Sequence, residues 1–283
     1  MGYLDIENLY KYPDIFLFRE IYALEKIHGT SAHLQWKAGS LKFFAGGEKH
    51  EKFVSLFDSS LPAKFTAIGH LEITVYGEAY GGKCMGMSGT YGPSLKFIVF
   101  DVRVGESWLA VPQAEDVAKQ LGLEFVHYVK CSTDLSELNR ERDAASVQAR
   151  RNGIAEDKPR EGVVLRPLIE LTTNNGGRII AKHKRDEFKE TATPREVDPA
   201  KIKALQGAQA IADEWVTPMR LLHVLDKMPD VTGMEQTGSV IRAMIEDIKR
   251  EGVGEIEWSK DAETAIGRAT AKLYKQHVST VRQ

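Results

Sequence analysis

In the stretch "ALEKIHGTSAHLQW", residues 23–36, an apolar, strand-like run is interrupted by Glu25, Lys26 and His28 and then by a Gly-Thr-Ser turn. Burying an unpaired lysine is costly, so Lys26 belongs at the rim of a cleft or is held there for chemistry. A lysine amine attacks phosphorus or carbonyl carbon only when deprotonated, a state that nearby cations or desolvation favour. "IIAKHKRDEF" supplies such cations: Lys182 and Lys184 are two apart on a strand pattern and face the same side. That spacing can grip one phosphate, although the same pair also reads as a solvated strand face.

Two acids fall in comparable places. Glu161 in "REGVVLRP" begins an apolar run, where a strand end presents a carboxylate to a cleft and could ligate magnesium directly or through water. Glu78 in "VYGEAYGG" lies inside a strand pattern beside glycines that admit close approach of a ligand. Each acid taken singly also reads as an edge-strand charge. Phe100 and Asp101 close the run "LKFIVFD"; a phenylalanine there either packs in the core or stacks on a nucleobase, worth about 1 to 3 kcal/mol. "GGKC" around Lys83 lacks the glycine spacing and following Ser or Thr of a phosphate-binding Walker loop, which excludes that motif.

These residues need a scaffold of strands. From about residue 20 to 190 the pattern is strand-like, in short runs such as "HLEITVYGEAY", "SLKFIVFDVRV", "EGVVLRPLIEL" and "RIIAKHK" separated by Gly-rich turns. Helices are predicted over "EKHEKFVSLFDSS" and over "TDLSELNRERDAASVQARRNG", the second as one element ending at Gly153. Near "TATPREVDPAKIKALQ" the character changes, and beyond the Asp198 cap and Pro199 helices are predicted at roughly 199–215, 217–228, 234–251 and 260–278. The expected fold is α+β: a strand-rich domain over residues 1–195, then a small all-α domain over 196–283. The last stretch carries Arg268, Lys272, Lys275 and Arg282 without an acid from Thr264 onward, either a phosphate-facing surface or a solvated terminal helix.

The 283-residue chain, 42% hydrophobic and 28% charged, suits a soluble globular protein, and its formal charge of -2 excludes a globally basic nucleic-acid binder. Cys84 and Cys131 form no C-x-x-C pair and the histidines show no H-E-x-x-H spacing, arguing against a disulfide scaffold or zinc site and for a reducing cytoplasm. No signal peptide, myristoylation motif or membrane-length apolar run is present, so a cytoplasmic protein with no membrane partner is expected, in a host cell if virally encoded.

Read together, "EKIHGT", "VYGEAYGG", "FIVFD", "EGVVLRP" and "AKHK" occur in the order and approximate spacing of motifs I, III, IIIa, IV and V of the covalent nucleotidyltransferases. The form K-x-H-G-T resembles specifically the RNA ligase 2 family of ATP-dependent RNA ligases, which includes bacteriophage enzymes and trypanosome editing ligases. The resemblance covers residues 20–190 well and the helical tail loosely. It implies a nucleotidyltransferase (adenylyltransferase) domain of antiparallel sheets with flanking helices. Lys26 then corresponds to the nucleophile that becomes AMP-linked, Glu25 to the reader of the adenine amino group, and Ile27 and Thr30 to neighbours of the nucleotide. His28 would serve the later steps on RNA, Glu78 the ribose hydroxyls, Phe100 the adenine face, and Asp101 the support of the pocket. Glu161 would engage the catalytic metal, Lys182 and Lys184 the α-phosphate, and Arg166 would be the basic residue of motif IV, facing RNA.

The resemblance further implies ATP and Mg2+ as cofactors, with Mn2+ able to substitute, and a monomer that acts on nicked duplex RNA or an RNA-DNA hybrid, with Arg166, Arg268, Lys272 and Lys275 on the RNA. Ser31 stands where the phage enzymes commonly have Asn, and "SLKFFAGG" has Lys42 and two phenylalanines where the motif Ia arginine is expected. The alternatives are a DNA ligase or capping-type nucleotidyltransferase, against which the helical tail argues because an OB-fold is expected there, and a non-catalytic nucleic-acid-binding protein of the same fold.

Overall fold

A computed structural model of the chain describes residues 2–173, 176–188, 196–228, 231, 233–253 and 256–281. Two compact units divide it, Met1–Glu196 and Val197–Gln283. Arg282 and residues 191–195, within the stretch where the sequence changes character, lie outside the described residues.

The first unit holds two antiparallel sheets. One runs in the order β7-β1-β8-β9, with β1 Glu20–Lys26, β7 Tyr128–Ser132, β8 Gly162–Pro167 and β9 Ala181–Lys184. The other runs β3-β2-β4-β5-β6, with β2 Thr30–Lys37, β3 Ser40–Phe44, β4 Glu72–Gly81, β5 Leu95–Val104 and β6 Ser107–Trp108. Helices α1 His50–Val54, α2 Leu61–Ile68, α3 Ser88–Tyr91, α4 Val111–Leu121, α5 Leu135–Asp143 and α6 Val147–Arg151 flank them. Period-2 alternation on β2 sends Leu34 and Trp36 into the core with Phe65 of α2 and Val111, Ala114 and Leu121 of α4. Antiparallel sheets with flanking helices are the α+β architecture expected from the sequence.

The long helix predicted over 133–153 is instead two helices. Ala144 and Ser146 take extended backbone, Ala145 pairs with Pro159, and the Ser146 hydroxyl caps α6 by accepting from the Ala149 amide. The Arg160 guanidinium donates to the Ala145 carbonyl at 2.9 Å. Long-range partners for this backbone outweigh the gain of continuing a helix, a competition invisible to local periodicity. The first predicted helix likewise shrinks to the single turn and a half of α1.

Register places the chemistry. In the first sheet Lys26 pairs with Gly162 and Gly162 with Lys184, while Leu24 pairs with Val164 and Val164 with Lys182. Directly opposed residues share a face, so the three lysines point to one side. In the second sheet Ser31 pairs with Glu78 and His33 with Tyr76. The chain crosses between the sheets at residues 27–29, between β1 and β2. A second crossing lies at residues 124–127, where the Val126 amide donates to Val99 and the Glu25 amide to His127.

The first crossing is tight. A Cβ built on Gly29 would lie 2.3 Å from the Ala79 carbonyl of β4. Gly162 combines φ +152° with a Cβ position 2.2 Å from the His183 carbonyl. The second unit contains α7 Pro199–Trp215, capped by Asp198, α8 Pro218–Asp226, capped by Thr217, α9 Thr237–Glu251 and α10 Lys260–Val281. Leu221, Val240, Met244, Ile248 and Ile266 form its own core. Among the described residues no helix is long and apolar enough to cross a membrane.

Gly162→Ala is expected to destabilise the first unit by about 2 kcal/mol or more, since strain and a backbone clash combine there. Urea unfolding followed by intrinsic fluorescence checks this; an unchanged midpoint would contradict the tight register at Gly162.

Candidate active site

The two sheets enclose a cavity of about 220 Å³. Lys26, Lys182, Leu24 and Val164 line it from the first sheet, Ser31, Glu78 and Phe100 from the second, and Tyr3, Leu4 and Ile6 from the N-terminal segment. That segment is anchored by the Leu9 amide donating to the Lys182 carbonyl and the Lys182 amide donating to Glu7, each at 2.9 Å.

At the inner end of the cleft, Glu161 gathers three cationic or potentially cationic groups. Its Oε2 lies 2.9 Å from Lys26 Nζ and 3.2 Å from His28 Nδ1, and its Oε1 lies 2.9 Å from Lys184 Nζ. Glu161 is 2% exposed. Burial alone would raise its carboxyl, but the hydrogen bond from His28 and the charge and hydrogen bond of Lys26, with Lys184, outweigh it and hold the group at about 2. Phe188 closes over this cluster: its ring lies 5.4 Å from that of His28, and its carbonyl accepts from Lys184 at 3.5 Å. Lys182 differs from its neighbours. Its ammonium lines the cavity with no ion-pair partner among the described residues, so it is a cation ready for an incoming anion.

Glu78 is half-buried in the same cavity. Desolvation raises its carboxyl to about 7, against the lowering influence of Lys26, while Glu161 adds to the rise. Ile27 is buried and lines the wall, and Phe100 meets the Tyr3 ring edge-on at 4.8 Å.

Two sequence-based expectations, for Thr30 and Arg166, meet a different geometry. Thr30 does not line the cavity; its Oγ1 accepts from the Gly47 amide at 2.9 Å. Strand alternation puts Ser31, one residue on, toward the cleft. Arg166 is 1% exposed rather than facing RNA. Its guanidinium donates to Asp101 at 3.1 Å, to the Leu109 carbonyl at 2.7 Å and to Glu170, and Arg178 completes the set with Asp101 at 2.6 Å and Glu170 at 2.8 Å. Two arginines and two carboxylates neutralise one another here, and the Tyr3 hydroxyl donates to Asp101 at 2.7 Å. Asp101, fully buried, thus underpins the wall that carries Phe100.

Glu25 is 2% exposed, and its carboxylate accepts from the Ser146 hydroxyl at 2.6 Å and the Val147 and Gln148 amides at 3.0 and 3.3 Å, fastening α6 to β1. Arg268, Lys272 and Lys275 share one face of α10 in the second unit; Lys272 and Lys275 are exposed and Arg268 is half-buried and partnered. Sequence patterns gave no sign of Tyr3, Leu4 or Ile6, whose segment reaches the site by pairing with distant Lys182, or of Phe188, which lies one turn beyond Lys184 and meets His28 across the fold. A wider depression of about 560 Å³ in the second unit is lined by Arg220, Asp247 and Glu251, whose charges satisfy one another.

Because Glu78 is raised in the folded state, its contribution to stability is present below the ordinary carboxylate range and is lost as pH rises through about 7. Glu78→Gln removes that loss. The variant should gain on the wild type by on the order of 2 kcal/mol between pH 5 and pH 8, after allowing for solvent reaching a half-buried group. Paired denaturation curves across that range check it, and parallel pH profiles would contradict it.

A family model described as RNA ligase matches residues 19–184, more than half of the chain. No match is found among curated proteins. Among solved structures, a lysine-to-methionine mutant of Naegleria gruberi RNA ligase with AMP and Mn is similar at TM-score 0.51 and 14% identity, over 66% of this chain and 57% of that one. A lysine-to-alanine mutant of the same ligase with ATP and Mn gives the same values, and an aspartate-to-alanine mutant without ligand gives TM-score 0.51 and 15% identity, over 66% of this chain and 56% of that one. The chain thus spans less than two thirds of these relatives' length, and the likeness is one of fold. With more than half of its length matched by the family model, the chain belongs to the RNA ligase family.

Proposed function

We propose that the protein is an ATP-dependent ligase that joins RNA 5′-phosphate and 3′-hydroxyl ends, at nicks in duplex RNA or RNA-DNA hybrids. The observation that carries this is the convergence of Lys26, Lys184 and the unpaired Lys182 on one cleft around the buried Glu161. Nucleotidyl transfer depends on cations fixed around an in-line phosphorus, and this cleft supplies them before any ligand arrives.

In the first step, Lys26 Nζ, freed from Glu161 and deprotonated, attacks the α-phosphorus of ATP. A P–N bond forms as the bond to the pyrophosphate oxygen breaks. Lys182 and Lys184 neutralise the α-phosphate, Phe100 stacks on the adenine and Glu78 binds the ribose hydroxyls. Glu25 keeps α6 in place and offers its remaining acceptor capacity to the adenine amino group. In the second step the RNA 5′-phosphate oxygen attacks the AMP phosphorus and Lys26 leaves as the amine. In the third, the 3′-hydroxyl attacks the capped 5′-phosphate and AMP departs. His28 serves these later steps, and Lys272 and Lys275 meet the RNA backbone.

The residues present fit a magnesium ion, with manganese as a substitute. Among the described residues no cluster of three or more His, Cys, Asp or Glu side chains could cage a metal, so Glu161 would hold it together with phosphate oxygens and water, the mode magnesium favours. When bound, the ion supplies positive charge at the reacting phosphate. The similar Naegleria structures with ATP or AMP and Mn are consistent with such a site.

Incubation with labelled ATP and magnesium tests the proposal. The wild type should acquire a protein-bound AMP and Lys26→Ala should acquire none; labelling of that variant at the wild-type level removes Lys26 from its role. Alanine at Glu161, Lys182 or Lys184 should slow adenylylation by about a hundredfold or more, as when a preorganised charge is lost from a transition state. Single-turnover rates near wild type in these variants would dismiss the shared site. A wild-type protein that never labels favours the non-catalytic binding alternative.

A further inference from the structure

The helix-free face of the five-stranded sheet continues outward from the cleft. Beyond Ser31 and Glu78, the next row across the strands is Phe44, His33, Tyr76 and Asp101, and the row after it is Lys42, Gln35, Thr74, Arg103 and Trp108. Alternation sends Leu34 and Trp36 to the opposite, helix-covered face. Rings crowd this face, and of them Phe44 is exposed while His33 and Tyr76 are buried. Phe44, 38% exposed, stacks on His33 at 4.1 Å and 13°, while Tyr76 lies beside Tyr3 and Trp108.

Two features of this face call for a ligand. Among the described residues, only two buried side-chain nitrogen or oxygen atoms lack a hydrogen-bond partner, His33 Nε2 and Arg103 Nε, and both belong to it. A buried polar atom without a partner is costly, so such atoms mark places where a partner is supplied from outside. The second feature is charge. Lys42 is exposed with no partner among the described residues, and Arg103 is shared between Glu106, a carboxylate almost wholly in water, and Tyr76, and packs toward Trp108.

An exposed ring beside a free lysine, with a half-buried arginine further along, suits a flexible polyanion with flat bases, not an apolar protein surface. Resting on the ligase reading above, we propose that this face is a track for an unpaired RNA segment leading into the cleft, in which Phe44 stacks on a base and Lys42 and Arg103 take its phosphates. A paired A-form duplex hides its base faces, so the track selects the unstacked nucleotides at or beside the end being joined.

The test is equilibrium binding of a short fluorescent single-stranded oligoribonucleotide to the full-length protein, alongside lysyl-AMP formation. Phe44→Ala should weaken binding about tenfold and Phe44→Trp should restore it, while Lys42→Ala should reduce the slope of log affinity against log salt by about one. All three variants should form lysyl-AMP at the wild-type rate. Binding within twofold of wild type in Phe44→Ala, or equal competition by a polyglutamate peptide, would overturn the track. If the wild type forms lysyl-AMP while these variants bind RNA normally, the track alone fails. If the wild type never forms lysyl-AMP but Phe44→Ala loses RNA, the track stands and the ligase reading fails.

Discussion

The inner end of the cleft depends on one buried carboxylate. Two ammonium groups and an imidazole converge on Glu161, and without it their like charges would repel in a site with little water to screen them. A lone buried Glu161 would be as costly. Each side therefore requires the other, and the backbone enforces the pairing: Gly162, next in the chain, sits in register between Lys26 and Lys184 on the two neighbouring strands. The arrangement is assembled by strand pairing before any nucleotide enters, which is the meaning of preorganisation here.

A second charged set has the opposite character. Asp101 and Glu170 cancel Arg166 and Arg178, and all four are largely removed from water. Such a closed quartet exerts little net field on a neighbouring phosphate, so the positive potential of the cleft comes from its lysines. What the quartet contributes is position, tying β5, β8 and the N-terminal Tyr3 into one wall.

Much of the site was legible because its residues are chemically out of place in their local pattern. A lysine closing an apolar strand, an acid beside Gly162 and two lysines at strand spacing are visible without knowing the fold, and the structure brings Lys26, Glu161, Lys182 and Lys184 to one cleft. Thr30 and Ser31 could not be told apart, since facing depends on where β2 begins, and one residue reverses it. Arg166 carries the same side chain whether it meets RNA or a buried aspartate; only the partner from β5 decides. The break between α5 and α6 was hidden for a similar reason, because Pro159 and Arg160 claim the backbone of Ala145 from beyond the helix. The α7 to α10 helices, whose caps and stops are local, were plain in the sequence.

The two crossings between the sheets, at residues 27–29 and 124–127, have a mechanical consequence. Both lie at the Lys26 end of the cleft, and Gly29 is pressed against the carbonyl of Ala79. Two short links at one end, and the buried pairs of Asp101 with Arg166 and Arg178 further along, pin the sheets to each other at two places, so the cleft cannot spread without parting buried charges. Lys26 is held beside the crossings, and the rim at Tyr3 and Phe100 is held as well, because Tyr3 donates to the same buried Asp101. A nucleotide bound as proposed would meet a cleft whose shape is set in advance along its whole length, at the base as well as at the phosphate.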